Sequence, residues 1–111
     1  MMNKERLIET KSQEVGISPE AYMRIVKITV MSRASDIQDL EHLLAVRDFA
    51  KIHSIAHMLK GIFGNLRLTE LFELSQEMDE LAKKQEDLLR MKELSEKIRE
   101  SFEMLKKEFE E

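Results

Sequence analysis

Without a single cysteine, this 111-residue chain must draw any chemistry from other side chains, and one stretch gathers the candidates: Ala56-His57-Met58-Leu59-Lys60-Gly61-Ile62-Phe63-Gly64-Asn65-Leu66. At roughly 100° per residue on an α-helix, Ile52, Ile55, Ala56, Leu59, Ile62 and Phe63 fall on one side, and His53, His57, Lys60, Gly61 and Gly64 on the other. His57 lies opposite the apolar stripe and is expected to face water. A neutral imidazole, with an ordinary pKa of about 6.5, is a competent nucleophile toward phosphorus near neutral pH. Lys60, three residues on, is a side-chain neighbour and a cation suited to neutralising phosphoryl oxygens. Gly61, four residues on, leaves the space beside the ring open. A glycine inside a helix costs about 1 kcal/mol relative to alanine. Two of them on the histidine's face need a reason, and close approach by another protein is one.

Other chemistries compete for the same residues. His53 and His57 stand at i, i+4, a spacing that could hold zinc. No third ligand is indicated: Asp48, Glu73 and Glu77 qualify by residue type only. No metal is therefore expected, and His53 reads as part of a partner-facing rim. Met58, beside His57, supplies something apolar for a partner to dock on. Gly61 and Gly64 could instead serve close helix packing, but they fall on the face expected to be wet. His42, Asp39 and Glu41 read as surface residues. A metal-binding bundle would show paired Glu-x-x-His motifs facing inward, and none is present. There is no phosphate-cradling glycine loop, and the chain is too short for a kinase catalytic domain.

Composition narrows the partners. A net charge of −4 without a basic stripe argues against nucleic acid. The N-terminus, Met1-Met2-Asn3-Lys4-Glu5-Arg6, shows no apolar h-region. The most apolar stretch, Ala21 to Met31, is interrupted by Arg24 and Lys27 and cannot span a bilayer. A cytoplasmic protein is expected, and the absence of cysteine fits a reducing compartment.

The elements that must position His57 are helices. One proline and three glycines argue for long helices and short turns, and no stretch alternates with period two for long enough to make a strand. Residues 3–15 read as a short helix using Leu7, Ile8 and Val15, ended by a left-handed Gly16 with Ile17 behind it. Ser18-Pro19-Glu20 is a restart with Ser18 as N-cap. The next helix carries Tyr22, Ile25, Val26, Ile28, Thr29 and Met31 as its apolar residues. Ser35-x-x-Gln38 resembles a capping box, so a kink or short break is expected near 32–35, with a continuous helix as the alternative. Asp48 is the expected N-cap of the histidine helix, about 48–65. After a turn at Arg67 and Leu68, Thr69 is the expected N-cap of a fourth helix over about 69–83. That helix should point Leu71, Phe72, Leu74, Ser75, Met78 and Leu81 inward. The last helix, about 86–109, has a seam of Leu88, Met91, Leu94 or Ser95, Ile98, Phe102, Leu105 and Phe109. At 1.5 Å per residue it spans roughly 35 Å, long enough to overhang its neighbours. The expectation is one all-α domain over 1–111: an antiparallel four-helix bundle over 18–109, with an additional N-terminal helix and turn over 1–17.

Ala56-His57-x-Leu59-Lys60-Gly61, followed by Gly64-Asn65-Leu66, resembles the histidine-containing phosphotransfer (HPt) family of bacterial phosphorelays, over roughly residues 18–109. The resemblance implies a phosphoryl group carried reversibly on His57 between a sensor histidine kinase, or its receiver domain, and a response-regulator aspartate. Lys60 would stabilise the phosphoryl charge. Gly61, Gly64, His53 and Met58 would belong to the receiver docking face. The carrier would be no enzyme, bind no ATP, act as a monomer and hold no cofactor, the divalent cation coming with the receiver. One departure stands out: the family usually has glycine ten residues after the histidine, where this chain has Arg67. A helical adaptor that binds receivers without transfer is the competing reading, kept alive by Arg67.

Overall fold

The computed structural model describes residues 4–109, and among these every regular element is helical. The helices are α1 (Lys4–Val15), α2 (Pro19–Ala45), α3 (Phe49–Asn65), α4 (Thr69–Lys84) and α5 (Leu88–Phe109). Helix α3 lies along α4, α4 along α5, α5 along α2 and α2 along α3, so these four close a ring, and α1 leans on α2. Inside the ring Val26, Leu40, Ile52, Leu59, Phe63, Met78, Met91, Leu94 and Ile98 are fully buried. No helix is long and apolar enough to cross a membrane among the described residues.

Each connection is three residues long, and all four are closed by the same device. Gly16, Arg47, Arg67 and Gln85 adopt positive φ, at 86°, 57°, 58° and 56°. The residue after each then donates its N–H back to a carbonyl five residues earlier: Ile17 to Ser12, Asp48 to Leu43, Leu68 to Phe63 and Glu86 to Leu81, at 2.9–3.1 Å. This satisfies carbonyls that a helix end would otherwise leave open. Glycine is the natural residue for a left-handed position, yet three of the four are not glycine. At Arg67 the guanidinium Nη1 donates to the Gly64 carbonyl at 3.0 Å, which offsets part of the cost of holding a side chain at positive φ. Arg67 therefore occupies a left-handed turn position of the kind that glycine takes most readily.

Several sequence expectations shift. Ser18 caps α2 by accepting from the Ala21 N–H at 3.1 Å, and Asp48 caps α3 by accepting from the Lys51 N–H at 3.2 Å. Thr69, however, is the first residue of α4; Leu68 occupies the cap position and offers no side-chain bond. Helix α2 runs unbroken through Ser35, because no glycine or proline interrupts it and Ile37 and Leu40 continue its buried stripe. Ile25, Ile28 and Met31 are exposed, and Val30 joins Tyr22, Val26 and Thr29 in the core instead. On α4, Phe72, Leu74 and Leu81 are only half-buried, while Asp79 and Ala82 are buried. The inward face of α4 is thus the stripe Leu71, Ser75, Met78 and Ala82, with Asp79 beside it and partnered from α3. Helix α5 starts at Leu88, capped by Asp87, whose Oδ1 accepts from the Arg90 N–H at 3.1 Å. Its seam is buried as far as Leu105 and Phe109, so it does not overhang. A crevice shared with Leu7 and Lys11 of α1 and Glu70 of α4 runs along its end.

Two long-range ties hold the ring in register. Arg90 of α5 grips Glu77 of α4 with two guanidinium bonds of 2.6 and 2.9 Å, and these bonds hold the Glu77 carboxyl below the usual carboxylate range. The buried Tyr22 hydroxyl donates to the Leu66 carbonyl at 2.7 Å, tying the start of α2 to the end of α3. Burial, reinforced by Glu14, pushes the Tyr22 phenol up to about 12. The folded chain thus favours the neutral phenol. That stabilisation is fully present below the ordinary tyrosine pKa of about 10 and is lost as pH rises toward 12.

Tyr22→Phe should lower the unfolding free energy by about 1–2 kcal/mol in urea titrations, since it orphans the Leu66 carbonyl. Arg67→Val should destabilise by about 1–2 kcal/mol, because a β-branched residue tolerates the left-handed turn poorly. Arg67→Gly should stay within about 1 kcal/mol of the parent. Equal losses in both Arg67 variants would show that the side-chain bond, not the φ angle, matters there.

Candidate functional site

The site is built on the face of α3 that the apolar stripe leaves outward. Ile52, Ala56, Leu59 and Phe63 are buried, which turns His57 out until 67% of its side chain is exposed. The Asp48 cap and the left-handed turn at Arg67 fix the two ends of this helix, and hence its phase. Gly61 is open: a Cβ placed there would meet nothing within 4 Å. The space beside the imidazole is real.

Gly64 is less open. A Cβ there would come within 3.1 Å of the Phe72 ring on α4. Close packing of α3 on α4, the other reading open to this glycine, thus has a contact behind it. Met58 is half-buried, and its sulfur lies 3.2 Å from an Arg33 guanidinium nitrogen of α2, which also pairs with Asp36 at 3.1 Å. The apolar neighbour of His57 is thus bordered by a charged pair. His42, Asp39 and Glu41 are exposed, as expected of surface residues.

The residue that sequence reasoning missed is Asp79. It projects from α4 into the α3–α4 seam with only 10% of its side chain exposed, and three basic side chains of α3 converge on it. Its Oδ2 lies 3.3 Å from His57 Nδ1 and 3.6 Å from Lys60 Nζ, and its Oδ1 lies 2.8 Å from His53 Nε2. A carboxylate moved out of water is costly unless paired, and here the pairing comes entirely from the outward face of α3. A signal did exist. On a helical wheel Asp79 falls between Ser75 and Phe72, within the stripe read as inward-facing; an acid there needs partners on the facing helix.

The arrangement has a definite chemical capacity. A carboxylate oxygen facing Nδ1 favours the tautomer with the proton on that nitrogen, and leaves Nε2 with its lone pair at the far edge of an exposed ring. Positive charge that develops on the imidazole as Nε2 forms a bond is met by the same carboxylate. Lys60 brings a cation within reach of whatever binds there. His53, His57 and Asp79 come together, but no group of three or more His, Cys, Asp or Glu is arranged so that it could hold a metal ion among the described residues.

In the comparison with protein families, the Hpt domain model matches residues 24–108. Neither the curated proteins nor the solved structures returned a match. Hpt domains are histidine phosphotransfer modules of phosphorelays. They interact with receiver domains and kinases and have no kinase catalytic domain of their own. The matched span runs from the first third of α2 to within one residue of the end of α5 and contains His53, His57, Lys60, Gly61 and Asp79. By that match, carried on an all-helical frame, the chain belongs to the Hpt domain family.

Proposed function

We propose that this chain is a phosphocarrier that takes a phosphoryl group onto His57 Nε2 from the aspartyl phosphate of a receiver domain and returns it to another. The observation that carries the reading is the pairing of an exposed His57 ring with a buried carboxylate at Nδ1. In the step, the Nε2 lone pair attacks phosphorus in line with the departing oxygen. The N–P bond forms as the O–P bond breaks, and the receiver's aspartate leaves as its carboxylate. The Nδ1 proton stays on the ring, facing Asp79. Lys60 and a divalent cation brought by the receiver share the charge of the equatorial oxygens. The open space at Gly61 lets the receiver's acidic cluster come close.

The same reading extends to the setting. The ring of helix contacts and the three-residue turns support an antiparallel four-helix arrangement, in which short connections place successive helices side by side. The partners are a response-regulator receiver and a sensor histidine kinase, and the carrier acts in the cytoplasm as a monomer. The adaptor alternative rested on Arg67. That Arg67 holds a left-handed turn supports the phosphocarrier reading, and the adaptor reading predicts receiver binding without transfer.

Incubation with phosphorylated receiver domains of the source organism should label the parent chain, with the acid-labile, alkali-stable behaviour of a phosphohistidine. His57→Gln should take no label while keeping its helical signal and melting temperature, since the ring is exposed. A label that persists in that variant would place the acceptor elsewhere. Lys60→Ala should slow transfer by about tenfold or more, with little change in the affinity for unphosphorylated receiver. A change in affinity alone would make Lys60 an interface residue.

A further inference from the structure

His53 is left over by this chemistry, with only a place on the docking rim expected for it. Its position is more specific than that. Its Nε2 approaches Asp79 Oδ1 to 2.8 Å, closer than either His57 or Lys60 comes to Oδ2. Oδ1 is buried and has no aligned hydrogen-bond donor among the described residues, so His53 is the group placed to satisfy it. The two imidazoles lie with centroids 6.0 Å apart, one helical turn from each other. They share one carboxylate without touching.

A carboxylate can turn about its Cβ–Cγ bond, and its value to His57 depends on where Oδ2 points. Lys60 pulls on Oδ2 only, from the same side as His57. The other oxygen has His53 Nε2 beside it at 2.8 Å, not aligned as a hydrogen bond in this conformation. We propose that His53 is a positioning residue. By engaging Asp79 Oδ1 it fixes the carboxylate plane, keeps Oδ2 on His57 Nδ1, and so holds the His57 proton on Nδ1 and leaves Nε2 as the reactive atom. The consequence for transfer rests on the phosphocarrier reading; the effect on the ring does not.

The test reads the ring directly. Long-range proton–nitrogen spectra of the 15N-labelled chain, taken at about pH 8 where an ordinary imidazole is neutral, report which His57 nitrogen carries the proton. The parent should show mainly the Nδ1–H form. His53→Ala should shift the population toward Nε2–H, and His53→Gln, which restores an N–H donor, should return it. In parallel, transfer from a phosphorylated receiver should fall about tenfold in His53→Ala, as expected when an outer partner of a working histidine is removed, and recover in His53→Gln. His53 is 40% exposed, so the melting temperature should hold. If it does not, His53→Met keeps the bulk without a donor and is read in the same way. An unchanged His57 tautomer in the variants lacking a donor overturns the proposal, whatever transfer does, and reduces His53 to a docking contact. A shifted tautomer in a chain that accepts no phosphoryl group from any receiver would overturn the phosphocarrier reading and leave the positioning role standing.

Discussion

One carboxylate, buried between two helices, constrains much of this molecule. Asp79 cannot be accommodated in the α3–α4 seam unless basic groups meet it there, and α3 supplies three from successive turns of one face. The requirement works in both directions. It goes with a rotation of α4 in which Asp79 and Ala82 face inward and Leu74 and Leu81 lie at the margin. It also gathers a histidine, a lysine and a second histidine around a point that would otherwise be open helix surface. The contacts that pair the buried carboxylate are also the ones that surround the His57 ring.

The parts of this that the sequence made visible share a physical origin: they are local. The His57 face, the open Gly61, the Ser18 and Asp48 caps and the five helices follow from periodicity and from residues within one turn of each other. The parts that were hidden depend on a facing helix. Asp79 looked like one more acid in a chain rich in them, because its burial is decided by α3. Gly64 looked like a companion of Gly61 until the Phe72 ring was found against it. On α2, apolar residues crowd more than one face, and only the packed neighbours decide that Val30 is core while Ile28 and Met31 face outward.

The turns show a further limit of reading by residue type. A left-handed position advertises itself when it holds glycine, as at Gly16. At Arg47, Arg67 and Gln85 the same backbone is held by the bond that follows it and by the packing of the helices on either side. A non-glycine residue at Arg67 is thus compatible with the left-handed turn. The ring of helices imposes the conformation, and local preference yields to it.

The four groups of the candidate site, His53, His57, Lys60 and Asp79, all lie on one helical hairpin closed by a three-residue turn. The entropy of bringing them together is thus only that of closing a short loop. The main pairing between helices distant in sequence, α2 against α5, joins parts of the chain that carry none of these four groups. Assembly of the reactive centre is in this sense a low-contact-order event, and the outer pair of helices acts as a clasp around a device already written into the middle of the chain.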